Sequence, residues 1–261
     1  VSDPLVSAVM VTRNRVALTR RALQCLRNQT WPNVELVIVD DGDESYEPLV
    51  REFEDHFPIH YHRMEPDPDL KLGGLRNLSQ DLAKGEYLVQ WDDDEWFHPD
   101  RINYQMNMLR EQELDAVVLR STLMHLDSPR LVDHPYRSAL PHGIPGTILH
   151  RRTKARYPNW RRHEDAVFRR RVKRSGRLGI AKGEHAHLFI RCFHGTNTWE
   201  EEHFTERLHY RWPDKIRYLK ARFIDGDILK HPAFDLNPQE IAAKDAMLRE
   251  SRALGVLQNG G

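Results

Sequence analysis

The chain has 261 residues, enough for one large α/β domain or two small ones, and its 39 basic residues balance 39 acidic ones. A net charge near zero argues against a general nucleic-acid binder, and two distant cysteines, Cys25 and Cys192, provide neither a disulfide framework nor a zinc spacing. No stretch is apolar for long enough to cross a bilayer, and the first eleven residues lack a signal-peptide pattern, so a cytoplasmic protein is expected, with peripheral membrane contact left open.

The valine-rich run at residues 6–11 predicts a buried parallel strand, followed by the loop Thr12-Arg13-Asn14-Arg15. Residues 17–28 predict a helix with Leu18, Ala22, Leu23 and Leu26 on one face. A second strand over 34–39 runs into Asp40-Asp41-Gly42, then a helix over 46–56 and a strand over 59–63 are expected. Gly73-Gly74 precede a helix at 75–84, and Tyr87-Leu88-Val89-Gln90-Trp91 reads as a buried strand. Asp100 is expected to cap a helix over 101–112. A strand at 116–119 follows, and 123–145, rich in Pro and His, reads as irregular. Helix at 165–173 and strand at 188–193 complete the core. In the tail, 201–212 and 215–223 read as helical, and Asn237-Pro238-Gln239-Glu240 is a capping-box start for a helix running to Leu254, with fraying after Val256. Strands alternating with helices over short connections predict an α/β fold with a mostly parallel sheet.

The chemistry concentrates in Trp91-Asp92-Asp93-Asp94-Glu95, four acids at the carboxyl end of a buried strand. That edge is where open α/β sheets bind ligands. Crowded carboxylates repel unless a cation offsets them, and hard divalent ions such as Mn²⁺ or Mg²⁺ bind one or two carboxylates together with substrate phosphates. An isolated acidic run is more often a solvated turn. If the segment is extended, Asp92 and Asp94 point one way and Asp93 another. Acids are dense over 40–100 and bases over 151–177, where Arg161-Arg162 and Arg169-Arg170-Arg171 could face an anionic substrate, a lipid surface or solvent.

Taken in order, these segments resemble the motifs of a family 2 glycosyltransferase of the GT-A fold, over roughly residues 5–200. The resemblance implies an α/β, Rossmann-like domain at 1–222, with a nucleotide-sugar half at 1–98, an acceptor half at 99–222, and a helical extension at 223–261. It implies nucleotide contacts from Thr12, Arg13, Asn14, Asp41, Gly74, Arg76, Asp92 and Asp93, with Arg76 meeting a phosphate or Asp40. Asp92-Asp93-Asp94 resembles the DxD motif, with Asp94 and Asp92 toward Mn²⁺ or Mg²⁺; Glu95 stands where the family often has another Asp. His163-Glu164-Asp165 resembles the segment bearing the catalytic base, here Asp165, with Glu164 orienting the acceptor or supporting the base. His194 resembles a histidine that completes the metal shell in some GT-A enzymes.

The expected reaction is inverting transfer of a sugar from a nucleotide sugar, with UDP as the family's usual carrier, to a glycan, a lipid-linked sugar or a protein. A homo-oligomer is left open. A packed loop histidine explains His194 about as well, helix-start acids are the plain explanation of Glu164 and Asp165, and His185 and His187 read as core or surface residues. Trp199 could stack on a sugar or cover the core. Two other functions compete. A sugar nucleotidyltransferase should carry a glycine-rich loop after the first strand, and Thr12-Arg13-Asn14-Arg15 has none. A non-catalytic nucleotide-sugar or glycan-binding module would have no need of the acids and the Glu-Asp pair.

Overall fold

The computed structural model describes residues 3–195, 197, 201–209 and 212–257, without the side chains of Glu202 and His203. The expectations for Trp199 and for the end of the tail lie outside the described residues. The valine run forms β1 (Val6–Thr12), followed by α1 (Val16–Arg27), β2 (Val34–Asp40), α2 (Glu47–Phe53) and β3 (Ile59–Arg63). Helix α3 (Leu72–Leu82) starts ahead of the expected point and takes Gly73 and Gly74 into its first turn. Strand β4 (Tyr87–Gln90) delivers the acids, and the two-residue β5 (Trp96–Phe97) follows them.

Helix α4 (Arg101–Glu111) lacks the expected side-chain cap, because the Asp100 carboxylate instead accepts a hydrogen bond from the Thr30 hydroxyl at 2.9 Å. Strand β6 (Ala116–Leu119) lies as expected. The segment read as irregular contains the antiparallel pair β7 (Ser121–Leu126) and β8 (Tyr136–Ala139). Every residue of β7 is buried, so it shows no alternation, and its polar residues disguise it as loop. Then come β9 (Leu149–Arg151), α5 (Glu164–Ser175), β10 (Leu178–Ala181) and β11 (Phe189–Phe193).

The tail helices are shorter than expected. Helix α6 (Glu201–Thr205) gives way to a 3-10 turn, Glu206–Leu208, and α7 (Trp212–Leu219) continues as a wider π-type turn, Lys220–Ile224. Helix α8 (Pro238–Ala253) opens with the expected capping box: the Asn237 side chain accepts from the Glu240 N–H, and the Glu240 carboxylate accepts from the Asn237 N–H, both at 2.9 Å.

The main sheet has seven strands in the order β10-β6-β9-β4-β1-β2-β3, parallel except for β9. A second sheet, β5-β11-β7-β8, lies alongside. Pairing of β1 with β2 and β4 aligns the C-terminal ends of all three, so Thr12, Asp40 and the acids after Gln90 emerge on one edge. Burial on both faces explains the continuous aliphatic runs of these inner strands. Each fully buried Val, Leu or Ile contributes about 1.5–3 kcal/mol, so the edge rests on a stiff floor. Ala243, Met247 and Leu248 of α8 are buried in the same core as β1 and β2.

Candidate active site

A cleft of about 1050 Å³ opens along this edge. Thr12, Arg13, Asp41, Arg76, Asp92, Asp93, Asp94, Glu164 and Asp165 all line it. Asn14, Gly74 and His194 are not among the residues that line it. Asn14 adopts a left-handed conformation, φ 53°, and its Oδ1 accepts from the Asp43 N–H at 2.8 Å, so it ties the loop after β1 to the loop after β2. Gly74 faces Leu70 and Asn159, where a Cβ would lie 2.5 Å from the Leu70 side chain.

The acids after β4 enter a turn, which breaks the expected alternation: Asp92 and Asp94 reach different partners. Asp92 turns toward α3, 2.9 Å from an Arg76 nitrogen, and also accepts from the Gln90 amide at 2.9 Å. Asp93 is buried, accepting from the Thr12 hydroxyl at 2.7 Å, with Arg15 at 3.3 Å. Asp94 lies 2.9 Å from Arg15 and 3.3 Å from His194 Nε2, and accepts from the Asn197 amide at 3.3 Å. Burial, reinforced by the charge of Asp94, pushes the Asp93 carboxyl well above the usual range. Burial acts on Asp94 too, but the His194 hydrogen bond and the Arg15 charge outweigh it and hold that carboxyl low. Asp94 therefore meets a cation, a histidine and an amide at the cleft edge, while Asp92 meets Arg76.

Glu95 also lines the cleft, with Arg191 at 3.7 Å, and is tied down by a bond of its own. Its Oε2 accepts from the Cys192 N–H at 2.6 Å, pinning the acidic turn to β11, and burial raises its pKa well above normal. At the β2 end, Asp40 is fully buried and accepts from the Tyr61 hydroxyl at 2.7 Å and from the Gly42 N–H at 2.9 Å. Asp41 is the acid offered to the cleft, with Arg13 at 3.7 Å; burial raises its pKa despite that neighbour.

Arg76 stands between two acids, Asp92 at 2.9 Å and Glu164 at 3.2 Å, and does not pair with Asp40. Burial works against its charge, but the two carboxylates more than offset it and raise its pKa. Glu164 and Asp165 open α5, where the helix dipole favours negative charge. Glu164 is buried and its pKa is raised by burial in spite of Arg76, while Asp165 turns into the cleft and accepts from the neighbouring Ala166 N–H at 2.6 Å. The loop before α5 is held against α3 at Gly73: a Cβ there would sit 1.8 Å from the Pro158 carbonyl oxygen, so only glycine permits the approach.

Several residues that shape the site carry no motif. Arg15 bridges Asp93 and Asp94, and the Tyr46 hydroxyl accepts from the Arg15 N–H at 2.7 Å. Arg21, fully buried, donates to the Asp94 carbonyl at 2.6 Å and to the Ser251 hydroxyl at 3.0 Å. Helical periodicity does not place Arg21 on the face of Leu18, Ala22, Leu23 and Leu26, so nothing in the sequence signals its burial, and a buried charge requires such partners. Arg101 is buried beneath the turn, packed over the rings of Trp91, Phe97 and Phe189 and donating to the Gln90 carbonyl. His187 packs edge-on against His98, and His185 against Tyr104, away from the acids.

Among the described residues no three His, Cys, Asp or Glu side chains converge as a complete metal cage. Asp94 and His194 form a two-donor pair, and that fits an ion of the Mn²⁺ or Mg²⁺ type, which leaves most of its coordination to water and substrate phosphates.

Comparison with known proteins gives this geometry a family. The chain is 30% identical over 136 residues to the putative glycosyltransferase EpsH of Bacillus subtilis, covering 50% of this chain and 37% of that one. It is 35% identical over 107 residues to the putative colanic acid biosynthesis glycosyl transferase WcaA of Escherichia coli, 39% of this chain and 37% of that one. The matched region thus spans little more than a third of either relative. Among solved structures, S. aureus TarS 1–349 in complex with UDP superposes with a TM-score of 0.60 at 16% identity, covering 96% of this chain and 91% of that one. A mannosyltransferase, PcManGT from Pyrobaculum calidifontis, in complex with GDP-Man and Mn²⁺, gives 0.55 at 17% identity, covering 96% and 75%. These likenesses identify the fold as GT-A. The model of the family described as "Glycosyl transferase family 2" matches residues 7–156, more than half of the chain and the whole stretch from β1 through the acidic turn, and the chain belongs to that family.

Proposed function

We propose that this chain is the catalytic domain of an inverting glycosyltransferase that uses a UDP-sugar and a divalent cation. One observation carries the reading: Asp94 at the sheet edge and Asp165 at the start of α5 line the same cleft. Residues 1–98 supply the donor side and 99–222 the acceptor side, with 223–261 as an extension. Asp41 and Arg13 receive the nucleoside. Arg76 offers charge toward the diphosphate, and Asp94 with His194, aided by Asp92, holds Mn²⁺ or Mg²⁺. The ion would neutralise charge developing on the departing diphosphate.

Asp165 accepts the proton of the acceptor hydroxyl as its oxygen bonds to the anomeric carbon. The bond from that carbon to the diphosphate breaks on the opposite face, which inverts the centre. Glu164 holds Arg76 in place from the buried side. UDP is the preferred carrier because TarS is solved with UDP and with UDP-GlcNAc; the GDP-Man complex of PcManGT makes GDP the competitor.

Calorimetric titration of UDP, GDP and dTDP, each with Mn²⁺ and with EDTA, tests the donor site. The expected result is Mn²⁺-dependent UDP binding that disappears in Asp94→Ala. Binding of no nucleotide by folded protein overturns the reading.

A further inference from the structure

Helix α7 and the turn that extends it carry an apolar ridge that the fold does not use. Trp212, Ile216, Leu219, Phe223 and Ile224 are all exposed, three of them by more than two thirds: Trp212 76%, Phe223 71% and Ile224 78%. Positions 212, 216 and 219 fall within about 60° of one another on a helix, and Phe223 and Ile224 continue the ridge. The opposite pole holds the segment to the body. Ala221 is buried, and Tyr218 packs against the cluster containing Phe204 and Leu208. The ridge therefore points outward by construction, on an element anchored from behind.

Its flanks are basic. Lys215, Arg217, Lys220 and Arg222 stand among these residues against a single acid, Asp214, which is itself paired with Arg217 at 3.2 Å. Lys215 lies over the Trp212 ring, and Arg222 lies over the Phe223 ring and also over the anchoring Tyr218, so two of the ridge's rings carry a cation beside them. Protein interfaces are depleted in lysine at their centres. A helix with Trp, Phe and Leu on an outward stripe and Lys and Arg beside it is instead built to lie in the boundary between lipid headgroups and acyl chains.

We propose that the Trp212–Ile224 segment docks this protein onto an anionic lipid surface. The rings enter the headgroup layer while the flanking cations meet lipid phosphates, each gaining from a surface of negative potential. The adjoining 3-10 turn Glu206–Leu208 contributes Glu206 and Arg207 to the cleft wall, so docking brings that wall close to the bilayer. The inference does not depend on the chemistry proposed for the cleft.

Flotation of the full chain with phosphatidylcholine vesicles, with and without phosphatidylglycerol, tests it. The expected result is binding to the phosphatidylglycerol vesicles only, weakened by added salt and reduced at least about tenfold in Trp212→Ser/Phe223→Ser. Lys215→Glu/Lys220→Glu should lose the preference for anionic lipid. All four sites are exposed, and unchanged far-UV circular dichroism will show that the variants fold. Failure of the native chain to float with anionic vesicles overturns the proposal, as does undiminished binding by the Trp212/Phe223 variant. A dimer that the same variant dissociates, without vesicle binding, assigns the ridge to a second copy and overturns it as well.

Discussion

The two walls of the cleft are built in different ways. On the β1–β4 side, almost every polar group is clamped: Asp93 by Thr12 and Arg15, Asp40 by Tyr61 and the Gly42 amide, Glu95 by the Cys192 amide. On the α5 side, among the described residues, Asp165 accepts from the N–H of its neighbour alone, and one guanidinium, Arg76, holds Glu164. On the proposed reading, a nucleoside diphosphate is the constant part of the donor, and a wall that met it would gain from being preset. The opposite wall would then admit the acceptor, and a carboxylate that takes a proton there could not be saturated with donors.

The sharpest way to break this contrast is Asp165→Asn. Transfer should fall by about 10²–10⁴, the usual worth of a general base, while calorimetric UDP affinity stays within about threefold. If nucleotide affinity collapses along with transfer, Asp165 belongs to the preset wall and the contrast is wrong. Next comes Arg21→Ala, which leaves the part-buried Asp94 carbonyl without its donor and opens space between α1 and α8. A loss of about 2–4 kcal/mol is expected from chemical denaturation, with weakened Mn²⁺-dependent nucleotide binding.

Gly73→Ala strikes the seam between the walls. Its Cβ must displace the Pro158 backbone, which costs about 1–3 kcal/mol, and the displaced loop leads into α5. Transfer should therefore suffer more than UDP binding; equal loss of both would mean that the seam does not separate the walls. The smallest effect concerns Glu164. Its folded pKa lies above its unfolded value, so it favours the folded state at low pH, and that contribution is lost as pH rises from about 4.5 through the raised folded value. Glu164→Gln should flatten this part of the stability profile by about 1 kcal/mol or less, read from denaturation midpoints across pH.

Legibility in the sequence follows the same division. The strands of the donor wall are aliphatic runs closed by acids, and both the runs and their tips can be read directly. Thr12, Asp41 and Asp92 through Asp94 reach the cleft from local signals. What escaped was set by partners distant in the chain. Nothing near Tyr46 announces that its hydroxyl will meet the Arg15 amide, and Arg76 carries no mark of choosing Asp92 and Glu164. Strand β7 was hidden because uniform burial of Ser, Thr and His erases the periodicity that identifies a strand. Gly73 reads in the sequence only as the lead into a helix, whereas its small size is required by the carbonyl of Pro158, 85 positions later in the numbering but less than a side chain away.

The bond between Arg21 and Ser251 joins residues 230 positions apart, and the same guanidinium grips the backbone of Asp94. A ribosome delivers the first of these residues long before the last. Until α8 has emerged and docked, Arg21 lacks the hydroxyl that orients it, and the acidic turn lacks a settled anchor. Strands β1, β2 and β4 can pair early, since their contacts are comparatively local, but the turn is finished only once α8 has been made. Vectorial synthesis thus delays the completed acidic turn until α8 has emerged.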